Sequence, residues 1–381
     1  MKKKLLILAM MSLTAFEAAY AASEPAIKVT LLGTGVPLLN AEKLNENGRA
    51  LSGLLVEAGT EKMLFDCGQG VYTRLLESGG GMQNPNVGVD KVFISHLHSD
   101  HIADLATLYS IGALYRHPDA TDVLGMQNDL TQYPFPTKTP LRVWGPGASA
   151  NQPVGTWGMM QSFRQAYETD FHIRSLWSGW DASVGYDAIN TENNTTEIDL
   201  GKNNGVIYEN NGVKVTAFLV DHEPVSPSYG FRVDYDGHSF VYSGDTSPNA
   251  PELVKNAQGV DILVHEVYGY PRDAAPNIYD YHTSPEDAAK VFNRTKPKQA
   301  VYTHLVIPPH STANDLATRT RAAGYKGKLA LGVDLMVISA NTDNTVTVKT
   351  PKSTGGSSSA SKQNAKVITS DFVEVVQPHN D

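Results

Sequence analysis

Four residues that can bind a transition metal lie within six positions of the segment ISHLHSDHIADL: His96, His98, Asp100 and His101. They follow a short apolar run that is typical of a buried strand. On an extended backbone alternate side chains point the same way, so His96 and His98 can converge on one ion. Asp100 and His101 then fall on the next turn, where they can face a second ion. Because chance placement of four such residues is rare, we predict a metal site.

A site of this kind needs ligands from distant parts of the chain. Later apolar runs end in suitable residues, since His222, Asp245 and His304 each follow such a run closely. We predict that a sheet edge presents all three to the cleft that holds the first cluster.

Apolar runs bounded by Gly, Asn and Pro predict β-strands in both halves of the chain. The predicted strands are Lys28–Leu32, Leu54–Glu57, Met63–Asp66, Val89–Ser95, Val213–Val220, Tyr229–Tyr235, Ser239–Ser243, Ile262–Glu266, Ala300–Thr303, Lys328–Leu331 and Leu335–Ser339. Helical spacing of apolar residues predicts helices at Val71–Glu77, Ala103–Leu114, Thr156–Leu176, Pro285–Phe292 and Thr312–Ala323. This arrangement indicates an α/β protein with stacked sheets and helices outside.

The segment 116–205 interrupts this pattern. It is rich in Pro, Gly and Asn and contains all four tryptophans: Trp144, Trp157, Trp177 and Trp180. We predict an insertion there, which is either a substrate lid or a packed subdomain. After residue 350, KSTGGSSSASKQNAK is typical of a flexible linker, and the final VITSDFVEVV either docks as an edge strand or is disordered.

Residues 1–21 have the features of a secretory signal peptide. Three lysines precede the apolar run Leu5–Phe16, which is too short to span a bilayer, and Ala19-Tyr20-Ala21 is typical of a cleavage site. We therefore expect a periplasmic or secreted protein without stable membrane insertion. Its parts would be a domain at 22–349 and a tail at 350–381.

The charge of the chain restricts its partners. The formal net charge is −9, and removal of residues 1–21, with three lysines and one glutamate, would make it −11. An acidic chain without a cluster of Lys and Arg repels phosphate backbones, which argues against a nucleic-acid polymer as partner. Cys67 is the single cysteine, so no internal disulfide can form.

The order of these motifs resembles one family. H-x-H-x-D-H, then a lone His, an Asp and a final His, is the pattern of the metallo-β-lactamase superfamily, whose fold is a four-layer αβ/βα sandwich. Within it the chain is most similar to the ribonuclease Z branch, which also contains exported aryl sulfatases. The similarity covers residues 26–339 and includes LLGTGVP, LFDCGQG, VWGPG, SGDT, VHEVY and HTSPEDAAK.

The resemblance implies a two-zinc centre. One zinc would be held by His96, His98 and His222, and the second by Asp100, His101 and His304, with Asp245 bridging both. Each ion would keep an open position, which is typical of catalytic rather than structural zinc. Mn²⁺ or Fe can occupy a similar set of His and Asp ligands.

The resemblance also implies a proton donor. Glu266 and His282 match a pair that, in ribonuclease Z, delivers a proton to the leaving group. Together with Asp100 they are the predicted catalytic residues. Asp66 is expected to support a metal-ligating histidine, and His265 is expected to be structural.

These features predict an exported hydrolase of a small phosphate or sulfate ester, a phosphodiesterase or aryl sulfatase that uses a metal-bound hydroxide. Processing of tRNA fits less well, because THLVIPP stands where ribonuclease Z carries a His-Phe-Ser-x-Arg type motif. A β-lactam or lactone hydrolase is the alternative enzyme, and a non-catalytic metal-binding protein is the alternative of another class. The sequence leaves the oligomeric state open, with a homodimer among the alternatives because dimers are common in related families.

Overall fold

The computed structural model describes residues 24–37, 48–78, 89–116, 140–178, 191–271, 273, 276–351 and 367–368. Within them the strands are β1 (Pro25–Gly33), β2 (Gly53–Ala58), β3 (Glu61–Phe65), β4 (Lys91–Phe93), β5 (Arg142–Gly145), β6 (Thr195–Glu197), β7 (Val206–Asn210), β8 (Val213–Val220), β9 (Ser228–Tyr235), β10 (His238–Tyr242), β11 (Ile262–Tyr268), β12 (Gln299–Val306), β13 (Leu329–Leu331), β14 (Val337–Asn341), β15 (Val346–Lys349) and β16 (Val367–Ile368). They form two sheets of eight strands each.

Each sheet has an antiparallel part and a parallel part. Sheet A has the order β15-β14-β1-β2-β3-β4-β5-β6, and β3 to β6 run parallel. Sheet B has the order β16-β13-β12-β11-β10-β9-β8-β7, and β10 to β13 run parallel. Two hairpins of sheet B turn at Asn211-Gly212 and Asp236-Gly237, where both residues have positive φ. This is the turn that such sequences favour between paired strands.

Eight α-helices connect the described strands: α1 (Val71–Glu77), α2 (Ser99–Ile102), α3 (Leu105–Arg116), α4 (Thr156–Ser178), α5 (Thr191–Asn194), α6 (Pro251–Asn256), α7 (Pro285–Thr295) and α8 (Ala313–Ala322). Short 3₁₀ turns lie at Asn203–Gly205 and Pro276–Asp280. Helix α7 begins where the sequence predicts it, because Pro285 occupies its first turn and the Ser284 hydroxyl accepts a hydrogen bond from the Asp287 amide.

Three apolar cores separate four layers. The core between the sheets contains residues of both, among them Ile27, Phe65, Phe93, Phe231 and Phe240. A second core joins the outer face of sheet B to helices α6, α7 and α8. A third joins the outer face of sheet A to α1, α3 and α4. The architecture is therefore the αβ/βα sandwich that the sequence predicts.

The eleven strands and five helices predicted from the sequence are all present, with ends that differ by a few residues. Strands β5, β6, β7 and β15 were not predicted. Two of them, β5 and β6, lie in the segment 116–205 and extend sheet A, while α4 packs on its outer face. This part of the predicted insertion is therefore integral to the sandwich.

Two predicted segments lie largely outside the described residues. The signal peptide, residues 1–21, is among them, and of the tail only 350–351 and β16 are described, the latter beside β13. No helix in the described ranges combines the length and apolar character needed to cross a membrane.

Candidate metal centre and active site

The predicted site residues meet at one edge of the sandwich, where β4 of sheet A and β8, β10, β11 and β12 of sheet B end. Ligand sites of α/β proteins commonly lie at the carboxyl ends of strands. The first cluster follows β4, His222 follows β8, Asp245 follows β10, and His304 lies near the carboxyl end of β12. The two sheets therefore contribute to one site.

One group of candidate ligands contains His96, His98 and His222 together with Asp245. His98 Nδ1 lies 2.9 Å from His96 Nε2 and 3.4 Å from His222 Nε2. Tetrahedral zinc with Zn–N bonds of about 2.0–2.1 Å would separate two ligand nitrogens by about 3.3 Å. The three nitrogens are therefore spaced as ligands of one ion.

A second group consists of Asp100, His101 and His304, and these residues are buried. Asp100 Oδ2 lies 3.5 Å from His101 Nε2 and 3.2 Å from His304 Nε2. The group offers two nitrogens and one carboxylate to a second ion.

Asp245 lies between the two groups. Its Oδ2 atom is 3.4 Å from His101 Nε2 and 3.3 Å from His304 Nε2, both of the second group. The same oxygen is 3.9 Å from His96 Nε2 and 4.0 Å from His222 Nε2, both of the first group. This is the location that the resemblance predicts for a bridging carboxylate.

Hydrogen bonds on the far side of the rings determine which nitrogen faces the centre. His222 Nδ1 lies 2.9 Å from the carbonyl oxygen of Tyr281, so it donates there and leaves Nε2 free to bind metal. His101 Nδ1 lies 2.8 Å from Asp66 Oδ2, with the same consequence. Partners of this kind orient metal-ligating histidines and raise their basicity.

Asp66 contacts the candidate ligand His101, which agrees with its predicted supporting role, and it is also the centre of a buried hydrogen-bond network behind the site. Besides binding His101, its carboxylate accepts hydrogen bonds from the amide and the hydroxyl of Ser95, each at 2.7 Å, and from the hydroxyl of Tyr242 at 2.8 Å. Ser95 Oγ in turn lies 3.0 Å from His96 Nδ1. The sequence did not predict a role for Tyr242, whose strand pattern is that of an ordinary core residue.

The protonation states favour metal binding at two of the ligands. Burial lowers the pKa of His96 well below its ordinary value, and His101 adds to the effect, so His96 is neutral with a free lone pair. Burial raises the pKa of Asp100, but the hydrogen bond from His304 and the charge of His101 outweigh burial and hold that pKa at about 2. A neutral imidazole and a carboxylate are the forms that a metal ion requires.

Two buried atoms at the centre fit a cation. Within the part of the chain that the structure describes, Asp245 Oδ1 and His101 Nε2 make no hydrogen bond. A buried polar atom without a partner costs free energy, which a bound ion would offset. The clusters of His and Asp in the described ranges that could hold an ion all belong to this site. Five histidines and two carboxylates are donors that suit divalent transition metals.

Glu266 and His282 form a pair beside the second group. Glu266 is fully buried, and its Oε1 atom lies 3.0 Å from His282 Nδ1. The same oxygen accepts hydrogen bonds from the amides of Thr283 and Thr246 at 3.1 and 3.2 Å. Burial lowers the pKa of His282, but the charge of Glu266 more than offsets this and raises the pKa to about 9. His282 can therefore carry a proton at neutral pH.

A β-bulge places His304, and the sequence gives no sign of it. Glu266 pairs with Thr303 and Val267 pairs with Leu305, so His304 is an extra residue in β12. Its φ of 45° is unusual for a residue other than glycine. Bulges and positive φ are frequent at functional sites, where they redirect a side chain.

His265 is structural, as predicted. It is fully buried, its Nδ1 lies 2.7 Å from the carbonyl oxygen of Glu266, and its ring packs against Phe292. The sequence did not predict that the rings of Tyr268, at the end of β11, and Tyr281, directly before His282, would lie against His282.

Two family models match the chain. A beta-lactamase superfamily domain matches residues 177–305, and the anti-Pycsar protein Apyc1 matches residues 27–127. Among solved structures, the short form of human tRNase Z superposes with a TM-score of 0.53 at 23% identity over 82% of this chain and 98% of that chain. The metallo-β-lactamase fold protein YhfI from Bacillus subtilis superposes with a TM-score of 0.52 at 18% identity over 82% and 99%.

Fold and site thus define a metal-dependent hydrolase of the metallo-β-lactamase superfamily that acts on ester bonds. Ribonuclease Z of Mycobacterium marinum (strain ATCC BAA-535 / M) is 31% identical over 81% of this chain and 97% of its own length. Ribonuclease Z of Mycobacterium avium (strain 104) is 32% identical over 81% and 96%. The chain belongs to the ribonuclease Z family.

Proposed function

We propose that this protein cleaves a small phosphate or sulfate ester, as a phosphodiesterase or aryl sulfatase does, with two zinc ions. The observation that carries the proposal is the Glu266–His282 pair beside two ligand groups that share Asp245. An ester of a poor leaving group needs a proton on the departing oxygen, and His282 is placed to give one. In the hydrolysis of a β-lactam or lactone, this pair would have no proposed role.

Different residues of the chain have separate roles in the proposed reaction. When bound, divalent ions at such ligands lower the pKa of water and neutralise charge on an ester oxygen. Asp66 and the Tyr281 carbonyl hold His101 and His222 in the orientation that suits those ions. Glu266 holds His282 through Nδ1, which leaves Nε2 to donate a proton to the leaving group.

The size and location of the substrate follow from sequence features. The acidity of the chain and the motif THLVIPP favour a small ester over an RNA polymer. The first 21 residues favour a periplasmic or secreted enzyme, so the substrate would be outside the cytoplasm. Because relatives of this chain are named ribonuclease Z, a precursor tRNA is the substrate against which small esters should be compared.

A substrate panel tests the proposal on purified protein whose metal content is measured. The panel contains nitrophenyl sulfate, bis-nitrophenyl phosphate, a cephalosporin, an acyl lactone and a precursor tRNA. We expect two equivalents of zinc and turnover of one of the first two compounds above all others. Preferred cleavage of the tRNA, or no turnover of either ester by the two-zinc protein, would reject the proposal. Expression of the full chain, with sequencing of the periplasmic product, tests export separately, and we expect a first residue of Ala22.

A further inference from the structure

His282 lies among aromatic rings. Its ring is nearly parallel to that of Tyr268, at an angle of 17° with 5.6 Å between centroids. It is also nearly parallel to the ring of His304, at 20° and 5.7 Å. Both separations lie in the range of offset-stacked aromatic pairs. His282 thus has a ring contact that is independent of its hydrogen bond to Glu266.

Tyr268 and Glu266 reach His282 from the same strand. They are two residues apart in β11, so their side chains leave the strand on the same side. Glu266 holds a single atom of the imidazole, Nδ1, at 3.0 Å. A ring held at one atom can still tilt, and a second ring stacked on it restricts the tilt.

Tyr268 is itself held firmly. Its amide donates a 2.9 Å hydrogen bond to the carbonyl oxygen of Thr283, the residue after His282. The ring of the buried Tyr279 lies edge-on to that of Tyr268 at 5.6 Å, and its hydroxyl contacts the carbonyl oxygen of Tyr270 and, at 3.3 Å, that of Tyr268. Tyr268 therefore contacts residues on both sides of His282 in the chain, Tyr279 before it and Thr283 after it.

We propose that Tyr268 is a positioning residue for the reaction. Its ring holds the imidazole of His282 in the orientation from which Nε2 reaches the leaving-group oxygen. This inference rests on the proposed function, in which His282 is the proton donor. An offset aromatic pair changes the population of such an orientation about two- to tenfold. A tilted donor matters most for a poor leaving group, which cannot depart without a proton.

Two substitutions separate the ring from the hydroxyl. Tyr268→Leu removes the stacked ring, and Tyr268→Phe keeps it. We expect Tyr268→Leu to lower kcat/KM for an alkyl ester about twofold to tenfold more than for the matching nitrophenyl ester, and Tyr268→Phe to behave as the wild type. The control is Tyr235→Leu, because Tyr235 is a partly buried tyrosine at the far end of β9. It should change neither the ratio of kcat/KM between the two esters nor the metal content.

A chemical readout completes the test without turnover. Diethylpyrocarbonate labelling of His282 in the metal-loaded protein, followed by mass spectrometry, should be faster in Tyr268→Leu than in the wild type or in Tyr268→Phe. Equal slowing of both esters, or unchanged labelling in Tyr268→Leu, overturns the role of Tyr268. Failure of the proposed function looks different, because the wild type would then hydrolyse neither ester while the labelling rates still report on Tyr268.

Discussion

One carboxylate oxygen, Asp245 Oδ2, lies within 4.0 Å of four histidine nitrogens, two from each ligand group. At the scale of single residues the site therefore depends more on Asp245 than on any one histidine. Each histidine serves one of the two ligand groups, whereas Asp245 is positioned to serve both.

Replacement of Asp245 tests this dependence. We expect Asp245→Ala to lose most of both metals and all measurable turnover, because each ligand group loses one donor. Metal analysis after dialysis gives the result. Asp199→Ala, which changes an exposed aspartate, should keep both metals. Retention of two equivalents by Asp245→Ala would show that the carboxylate is not shared.

His282 makes a separate prediction. His282→Ala should lower kcat for an alkyl ester by about 10²–10⁴ but slow a nitrophenyl ester much less, because only the poor leaving group needs a proton. Rates for a series of leaving groups measure this. The control is His238→Ala, because His238 is a buried histidine that lies beside Asp261 at the far end of sheet B. Equal slowing across the series would argue against a proton donor.

At the scale of elements, helix starts and strand ends place the catalytic groups. Helix α7 begins three residues after His282, so its N-cap determines how the chain leaves the site. Helix α8 begins with a capping box formed by Thr312 and Asp315, in a segment without a predicted catalytic residue. The two caps offer a matched comparison.

Loss of either cap should cost about 1 kcal/mol of the free energy of unfolding. We expect Ser284→Ala and Thr312→Ala each to show a loss of this order in urea unfolding curves, larger for the fully buried Ser284 than for the exposed Thr312. Ser284→Ala should in addition lower kcat for esters with poor leaving groups, because the cap fixes the backbone next to His282. Equal activity of the two variants would mean that the cap contributes stability alone.

The sequence predicted the elements that have a clear pattern. Val213–Val220 begins with alternating apolar and polar residues, continues as an apolar run, and was predicted with its observed ends. Strand β6 is three polar residues, Thr195–Glu197, which carry no period-two signal, and β5 is a short run inside a Pro- and Gly-rich segment. Both form because neighbouring strands supply their hydrogen bonds, and this tertiary effect cannot be derived from local sequence.

The same limit applies to the site. H-x-H-x-D-H and the residues after later apolar runs were sufficient to name the seven predicted ligands that the structure brings together, whereas His282, which the structure also groups with Asp245 and His304, was predicted only as a proton donor. The bulge at His304 and the stacking of Tyr268 depend on how β11 and β12 pair. Pairing joins residues far apart in the chain, so their positions relative to His282 could not be predicted.

At the scale of the whole molecule, the end of the sandwich opposite the metal ligands contains a buried charge cluster. Glu61 is 4% exposed and lies 2.9 Å from the ammonium of Lys91. It also accepts hydrogen bonds from Tyr208, Asn210 and Asn211. Glu61, at the start of β3 in sheet A, thus connects Lys91 of the same sheet with the end of β7 in sheet B.

Burial raises the pKa of Glu61, but the hydrogen bond from Tyr208 and the charge of Lys91 outweigh burial and leave it below its ordinary value. A lowered folded-state pKa means that Glu61 stabilises the protein above about pH 4.3, the unfolded value, and that this stability is lost as the pH falls through the folded value. Glu61→Gln should cost about 1–3 kcal/mol at pH 7 and less at lower pH.

Unfolding in urea at several pH values measures this effect. Glu57→Gln is the control, because Glu57 is partly exposed and pairs with lysines at the surface. We expect it to change the free energy of unfolding by less than about 1 kcal/mol at any pH. If the loss of stability in Glu61→Gln did not depend on pH, this would contradict the conclusion that ionised Glu61 stabilises the folded protein.

The ligands come from both sheets, with His96 and His98 after β4 of sheet A and His222 and Asp245 after strands of sheet B. An ion bound between them is a cross-link between the two halves of the sandwich. At a concentration 100 times its Kd an ion adds about 2.7 kcal/mol, so a chelator should lower Tm by about 4 °C for each ion that it removes. Asp245→Ala should not respond to the chelator. Metal supply would then govern the lifetime of the protein in the presence of proteases as well as its turnover.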